Sequence, residues 1–416
     1  MTSVRSHRLP SSGNKWVVFI LAGLILGACS PKIIPTAQPA VRPTEPEKPK
    51  PPVVVVPKLE TTKVSTIALL LPFELDKLNL GDDATSTNLS KADLAADYYQ
   101  GFKFALDSLT AKGYNYKLLV FDSKGTAAQA HSLANNPKIR SSDLIVGPVF
   151  PESITAFTSV FTANKPVVSP LSPAPPAQFK SNKLITVIPP LEYHAWAAAR
   201  YIVSHIRPAK VFVLRSGYSE ENKYLIPFNK AIDSLTRKRL PIINANISKG
   251  NFDALMPQLS ATSENVFVIP ATDELFLATT LRALEKLSET YDITVFGHPN
   301  WAKATLLKPD LLQALKTHIT SSDNVDYKSV QTINFVKNYK KVYHMTPGEY
   351  AIKGFDEAYY FGSLLSGAAD SLSGLDKKPY NGMYNRFNFI KTLNYGWVNT
   401  HVAILQYQNF ELKKVE

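Results

Sequence analysis

One cysteine occurs in the 416 residues, Cys29, and it closes the tetrapeptide Leu26-Gly27-Ala28-Cys29. A thiol is the most readily activated nucleophile among the side chains, and small residues before it leave room for a peptidase. Upstream stand Arg5, Arg8 and Lys15, then an apolar stretch from Trp16 to Leu26. A basic segment, a short apolar segment and a small-residue cleavage site form the pattern of a secretory signal peptide. The stretch is too short to cross ~30 Å of hydrocarbon as a helix. Elsewhere the reactive residue types are scattered. The eight histidines show no metal-ligand spacing. No Gly-x-Ser-x-Gly elbow, phosphate-cradling Gly-x-x-x-x-Gly-Lys or Gly-x-Gly-x-x-Gly turn occurs. The carboxylate pairs Asp82-Asp83 and Glu220-Glu221 are adjacent, so their side chains point apart. No catalytic residue, cofactor or metal site is expected.

The residues around Cys29 resemble the lipobox of bacterial lipoproteins, in which the thiol is acylated and the cysteine becomes the mature N-terminus. Residues 1–29 are then a lipoprotein signal peptide and Cys29 a membrane anchor, since several acyl chains on one residue attach firmly. Ser30 follows the cysteine where aspartate would favour the inner membrane, and no acidic run comes after it. By resemblance to Gram-negative sorting rules, the expected position is the outer membrane, facing the periplasm. With no second cysteine, stability must come from core burial rather than disulfides.

Residues 30–60 are dense in proline. Proline fixes φ and removes a backbone donor, which favours extended polyproline II of about 3.1 Å per residue. The segment reads as a semi-rigid tether. Residues 61–416 are enough for a large two-lobed body. Residues 1–63 hold nine basic and three acidic side chains, half of the net +12. The rest is spread without a basic stripe along the sequence, so nucleic-acid binding is not expected.

The body alternates strands and helices. Ile67 to Leu71 is a short apolar run suited to a strand buried on both faces. Ser90 with Asp93 three residues on forms a capping-box pattern, and Leu94, Tyr98, Phe102, Ala105 and Leu109 then recur at helical spacing until Gly113. Strands are expected at Lys117–Phe121, Leu144–Val146 and Val167–Val168, with a helix at Ile154–Ala163. After Pro189-Pro190 the rhythm restarts: helices at Trp196–Ile206, Tyr224–Leu235 and Glu274–Leu287, and strands at Val211–Leu214, Ile242–Ile247, Val266–Ile269 and Thr294–Phe296. The fold class is α/β, as two lobes with a central cleft. In such sheets ligands sit beyond the carboxyl ends of the strands.

Ile67-Ala-Leu-Leu-Leu-Pro-Phe73, Tyr99-Gln-Gly-Phe-Lys-Phe-Ala-Leu106, Asp143-Leu-Ile-Val-Gly-Pro148 and Pro166-Val-Val-Ser-Pro170 resemble the first lobe of type I periplasmic binding proteins. Phe296-Gly-His-Pro-Asn-Trp301, the run Phe335 to Tyr343, and Gly354-Phe-Asp-Glu-Ala358 are similar to later segments of that family. The flavour is that of a Bacteroidetes-type lipoprotein group. The resemblance implies two Rossmann-like lobes joined by three crossovers. Lobe one would hold about 64–188 and 325–390, and lobe two about 189–324 and 391–416.

It also implies where a ligand would bind. A small hydroxyl residue and free backbone N–H groups hold the carboxylate in the amino-acid binders, and those positions fall near Pro151, Glu152, Ser153, Ser169 and Ser172. The prolines at 151, 173, 175 and 176 donate no hydrogen bond, and Glu152 brings negative charge, so the amino-acid clamp is expected to be damaged. In lobe two, Tyr218, Thr272, Asp273, His298, Asn300 and Trp301 follow expected strands and are the candidate contacts, Trp301 as a flat stacking surface. The expected function is capture of a small polar solute as the binding subunit or sensor of an ABC-type system. The alternative is a non-enzymatic lipoprotein that touches an envelope protein partner, as the outer-membrane activators of peptidoglycan synthases do.

Overall fold

The structure, a computed structural model, describes residues 63–77, 85–367 and 372–416. The signal peptide, Cys29, the tether and the Asp82-Asp83 pair lie outside the described residues. The chain divides into two units, Met1–Lys58 and Leu59–Glu416, and the second carries the whole fold described below.

Strand β1 (Val64–Leu71) is the apolar run read from the sequence, and it is buried from Ile67 onward. Helix α1 (Ser86–Thr110) starts four residues before the expected cap. Thr85 Oγ1 accepts the Asn88 N–H at 3.2 Å. Ser90 is inside the helix, its hydroxyl donating back to the Ser86 carbonyl. The earlier hydroxyl cap wins because Ser90 has an acceptor one turn behind it. Then follow β2 (Asn115–Asp122), α2 (Ala127–Ala134), α3 (Pro137–Arg140), β3 (Leu144–Val146), α4 (Pro151–Val160), β4 (Val167–Ser169) and β5 (Leu184–Thr186). Helix α4 begins three residues earlier than expected because Pro151 suits the first helical position, where its missing N–H costs nothing.

The second half runs α5 (Leu191–Tyr201), β6 (Val211–Arg215), α6 (Asn222–Thr236), β7 (Ile242–Asn246), β8 (Asn265–Ile269), α7 (Glu274–Ser288), β9 (Ile293–Gly297), α8 (Pro309–Ala314) and β10 (His318–Ser321). Helix α5 starts directly after Pro190, and Ile202–Ile206 is a π turn rather than its continuation. The chain then returns with α9 (Val330–Tyr343), α10 (Glu349–Leu365), a small ladder of β11 (Tyr380–Asn381) and β12 (Arg386–Phe387), a hairpin of β13 (Phe389–Thr392) and β14 (Gly396–Asn399), and finally β15 (Ala403–Gln408) and β16 (Glu411–Lys414).

Two seven-stranded sheets result. Their orders are β13-β14-β5-β4-β3-β1-β2 and β16-β15-β10-β9-β8-β6-β7. Within each, the inner strands are parallel and an antiparallel hairpin closes one edge. This is the α/β two-lobed fold. Helices α1 and α10 pack backbone to backbone: a Cβ on Gly101 would stand 1.8 Å from the Ala351 carbonyl oxygen, and one on Gly354 2.3 Å from that of Tyr98.

One boundary differs from expectation. The chain does not leave lobe one at 390, since β13 and β14 both lie in the first sheet, with Trp397 opposite Ile185. The hairpin is held there because β5 would otherwise present an open edge. The crossovers are therefore Val187–Pro190, the segment 322–329 and the segment 400–402. Two lobe-one anchors hold them. Buried Asn399 donates to the carbonyls of Val187 and Arg386, each at 2.9 Å, and accepts the N–H groups of Asn388 and His401. Asp356, from the Gly-Phe-Asp-Glu-Ala run, accepts the N–H groups of Met383, Tyr384 and Asn385. That turn pairs Asn385 with Asp323 in the second crossover. Burial raises the Asp356 carboxyl to about 6 despite these donors. Burial also pushes Glu357 well above its usual range, and its carboxyl pairs with the Tyr98 hydroxyl.

Candidate functional site

At the carboxyl edge of the second sheet lies a cavity of about 360 Å³, within the range of small-ligand sites. Strands β9 and β10 bring His298, Asn300, Thr320 and Ser321 to it, α5 brings His194, and the crossovers bring Ile188, Pro189 and Asp323. Pro173 is the residue that lobe one itself contributes.

The chemistry of the lining can be read group by group. His298 Nδ1 accepts the backbone N–H of Asn300 at 3.1 Å, so the neutral ring carries its proton on Nε2 and is a donor there. His194 Nδ1 shares a hydrogen bond with Thr320 Oγ1 at 3.0 Å. Burial lowers both imidazoles to about 4, so both are uncharged at neutral pH. Asp323 is already spoken for: it meets Lys353 at 3.3 Å, the Tyr384 hydroxyl at 2.8 Å and the Ser321 hydroxyl at 3.1 Å. Burial alone would raise its carboxyl, but these partners outweigh that and hold it below its usual value. Exposed Lys303 supplies a cation on the same rim. The arrangement offers neutral donors and one positive charge, and no acid left free by the pairing.

The expected residues divide sharply. His298 and Asn300 line the cavity. Trp301, expected to be a stacking surface, is 1% exposed and belongs to the lobe-two core. Its indole N–H donates to the Ala271 carbonyl at 2.8 Å, and its ring lies where a Cβ on Gly297 would be. Absence of a side chain at Gly297 draws the tryptophan inward. Asp273 is the cap of α7, accepting the Phe276 N–H at 2.7 Å, and it and Thr272 are exposed away from the cavity. Tyr218 is exposed before a short turn and does not line it either.

Lobe one departs further from expectation. Ser153, Ser169 and Ser172 are each buried and none lines the cavity. Ser172 accepts the Ala174 N–H at 3.3 Å, while the hydroxyls of Ser153 and Ser169 meet no partner among the described residues. Phe150 is the cap of α4, without a side-chain capping bond, and the Lys91 ammonium stands 5.5 Å from its ring. Lys91 in turn pairs with buried Glu74. Glu152 lies exposed in the first turn.

Sequence reasoning missed His194, Thr320, Ser321, Asp323 and Lys303. His318-Ile-Thr-Ser321 has one strongly apolar residue and so gives no strand signal, although it is central in its sheet. The proline pair before Leu191 was the cue that α5 starts early enough to include His194. No group of three or more His, Cys, Asp or Glu among the described residues could hold a metal ion.

A family model described as periplasmic binding protein matches residues 85–409. Solved structures share the fold at low identity. A putative branched-chain amino acid ABC transporter protein from Rhodospirillum rubrum is similar with a TM-score of 0.62 and 16% identity, over 85% of this chain and 100% of that one. An ABC transporter substrate-binding protein from Desulfitobacterium hafniense, solved with Leu, has a TM-score of 0.55 and 14% identity over the same shares. The C-domain of LpoA from Haemophilus influenzae, a regulator of PBP1A, has a TM-score of 0.55 and 16% identity, again over 85% and 100%. No curated protein sequence matches.

Proposed function

Because the chain belongs to the periplasmic binding protein family, we propose that it is an envelope lipoprotein, anchored through Cys29 to the outer membrane and facing the periplasm, which captures a small polar solute between its lobes. The observation that carries this reading is the cavity of about 360 Å³ lined by His194, His298, Asn300 and Thr320. Hinge closure would bring lobe one onto these groups, and binding would be stabilised by contacts made only in the closed state. The protein would then serve as the binding subunit or sensor of an ABC-type system, with no catalysis of its own.

A second reading is favoured by the state of lobe one. The positions that would clamp an amino-acid carboxylate are prolines, the exposed Glu152 and buried serines. Such a scaffold suits contact with an envelope protein, and the LpoA C-domain, which shares the fold, is a regulator of PBP1A.

Titration calorimetry on residues 59–416 separates the two. Branched-chain amino acids are expected to bind no tighter than millimolar, because each lost charge-assisted hydrogen bond costs ~1.5–3 kcal/mol. Another small polar solute is expected to bind more tightly and to lose affinity on His298→Ala. A flat titration across polar solutes, with tight binding to a purified peptidoglycan synthase, would overturn solute capture in favour of the second reading. The anchor has its own test: Cys29→Ala should leave an unprocessed precursor, and a mature, detergent-extracted mutant would refute lipidation.

A further inference from the structure

The opposite edge of the first sheet carries a second site. Strands β1, β3, β4 and β5 all start there, and residues just before them line a cavity of about 360 Å³ with Lys63, Lys165, Lys183 and Asp143. Lys391 and Trp397 of the β13–β14 hairpin complete it. Four lysines and one aspartate thus line one cavity. Lys165 is the partner of Asp143, at 3.5 Å. Lys183 is fixed by two backbone carbonyls, those of Thr162 and Ala163, which orient it without neutralising its charge. Lys391 stands 5.5 Å from the Trp397 ring. None of Lys63, Lys183 and Lys391 pairs with an acid among the described residues.

We propose that this edge is a membrane-docking surface that takes the phosphate groups of anionic phospholipids. Three observations converge on a bilayer. The charge is complementary to an anionic headgroup layer. The tip of the same hairpin holds Leu393, 97% exposed, between Lys391 and the half-buried Trp397. An aliphatic side chain bare to water beside an aromatic ring and a lysine is the arrangement that settles at a headgroup boundary. Finally, Lys63 on this edge precedes β1 on the side of the chain that carries Cys29, so an anchor there raises the local concentration of the patch at the surface. That last point rests on the lipoprotein reading above; the charge and the exposed leucine do not. Docked this way, lobe one turns its opposite, cleft-bearing edge away from the membrane.

The test uses residues 59–416, which form one unit and carry no anchor. The fragment is sedimented with vesicles of phosphatidylcholine alone or mixed equally with phosphatidylglycerol, at low and high salt. Binding is expected on the anionic vesicles only, weakening with salt. The double variant Lys63→Glu, Lys391→Glu should lower the bound fraction at least about tenfold, and Leu393→Asp should lower it with no change in thermal unfolding. These positions are exposed, so the variants should fold. Absence of binding to anionic vesicles, or binding indifferent to both variants, overturns the proposal. Inorganic phosphate is the second probe: a rise in unfolding temperature that needs Lys183 and Lys391, without vesicle binding, would assign the cavity to a free phosphate anion instead and end the docking claim. Failure of the Cys29→Ala test would leave this result standing, because the fragment lacks the anchor.

Discussion

The side-chain amide of Asn399 donates to the Val187 carbonyl at 2.9 Å, so the end of β14, just before the third crossover, is bonded to the first. The same amide donates to Arg386, and its oxygen accepts from Asn388 and His401. Replacing Asn399 with alanine removes all four bonds in a buried place. The expected loss is about 2–3 kcal/mol, the cost of leaving several buried backbone groups unpaired. A shift in the urea midpoint measures it; a shift under 0.5 kcal/mol (about the noise of a surface substitution) would mean the crossovers are held otherwise.

Lys353 is buried between Asp323 and Glu349, at 3.3 and 2.7 Å, and its charge is retained because both acids outweigh the cost of burial. The Tyr384 hydroxyl contacts both acids as well, but a phenol has one proton and donates to one carboxylate at a time. Lys353→Met should therefore leave two half-buried acids without their cation and destabilise by about 1–3 kcal/mol. The double variant Lys353→Met, Asp323→Asn should recover part of that loss. No recovery would show that the pair is not coupled.

Trp301 distinguishes core from site. Trp301→Ala should cost about 3–5 kcal/mol of stability, as large-to-small changes in packed cores do. A variant with unchanged unfolding and selectively weakened ligand binding would return Trp301 to the role expected from sequence.

Acid should destabilise the fold. Burial lowers His194, His298 and His318 to about 4 from 6.5, and His401 likewise, with Arg386 and Lys414 adding to its shift. Groups with lowered folded values take up protons on unfolding, so their stability is complete above 6.5 and is lost as pH falls toward 4. Each contributes at most about 1.4 kcal/mol per pH unit. Asp97, Asp356 and Glu357 are raised and work in the opposite sense, lending stability that disappears as pH rises. Histidines outnumber them, and more clearly above pH 6, where Asp356 is ionised in both states. The urea midpoint should fall from pH 7 to pH 5, and a flat or rising profile would contradict the burial of the imidazoles.

The α/β class and the two-lobe rhythm were legible in the residues alone, because continuous apolar runs such as Ile67–Leu71 can be satisfied in few ways, and the family showed as a resemblance in motifs such as Asp143–Pro148. Pro151 and Pro173 lack N–H groups in any fold, which is why the resemblance led to the expectation of a damaged clamp. The cavity was legible only where its residues follow apolar strands, as His298 and Asn300 follow Thr294–Phe296. The remaining features depend on packing between distant segments. Trp301 turned inward because Gly297 left room for it, and nothing local to either residue announces that pairing. Strand β10 was hidden because a polar sequence can be central when both neighbouring strands supply its hydrogen bonds. The third crossover moved to 400–402 because an edge of β5 needed covering, a demand made by a strand more than two hundred residues earlier. Local chemistry sets what a segment can be; which of its faces meets solvent is settled by what packs against it.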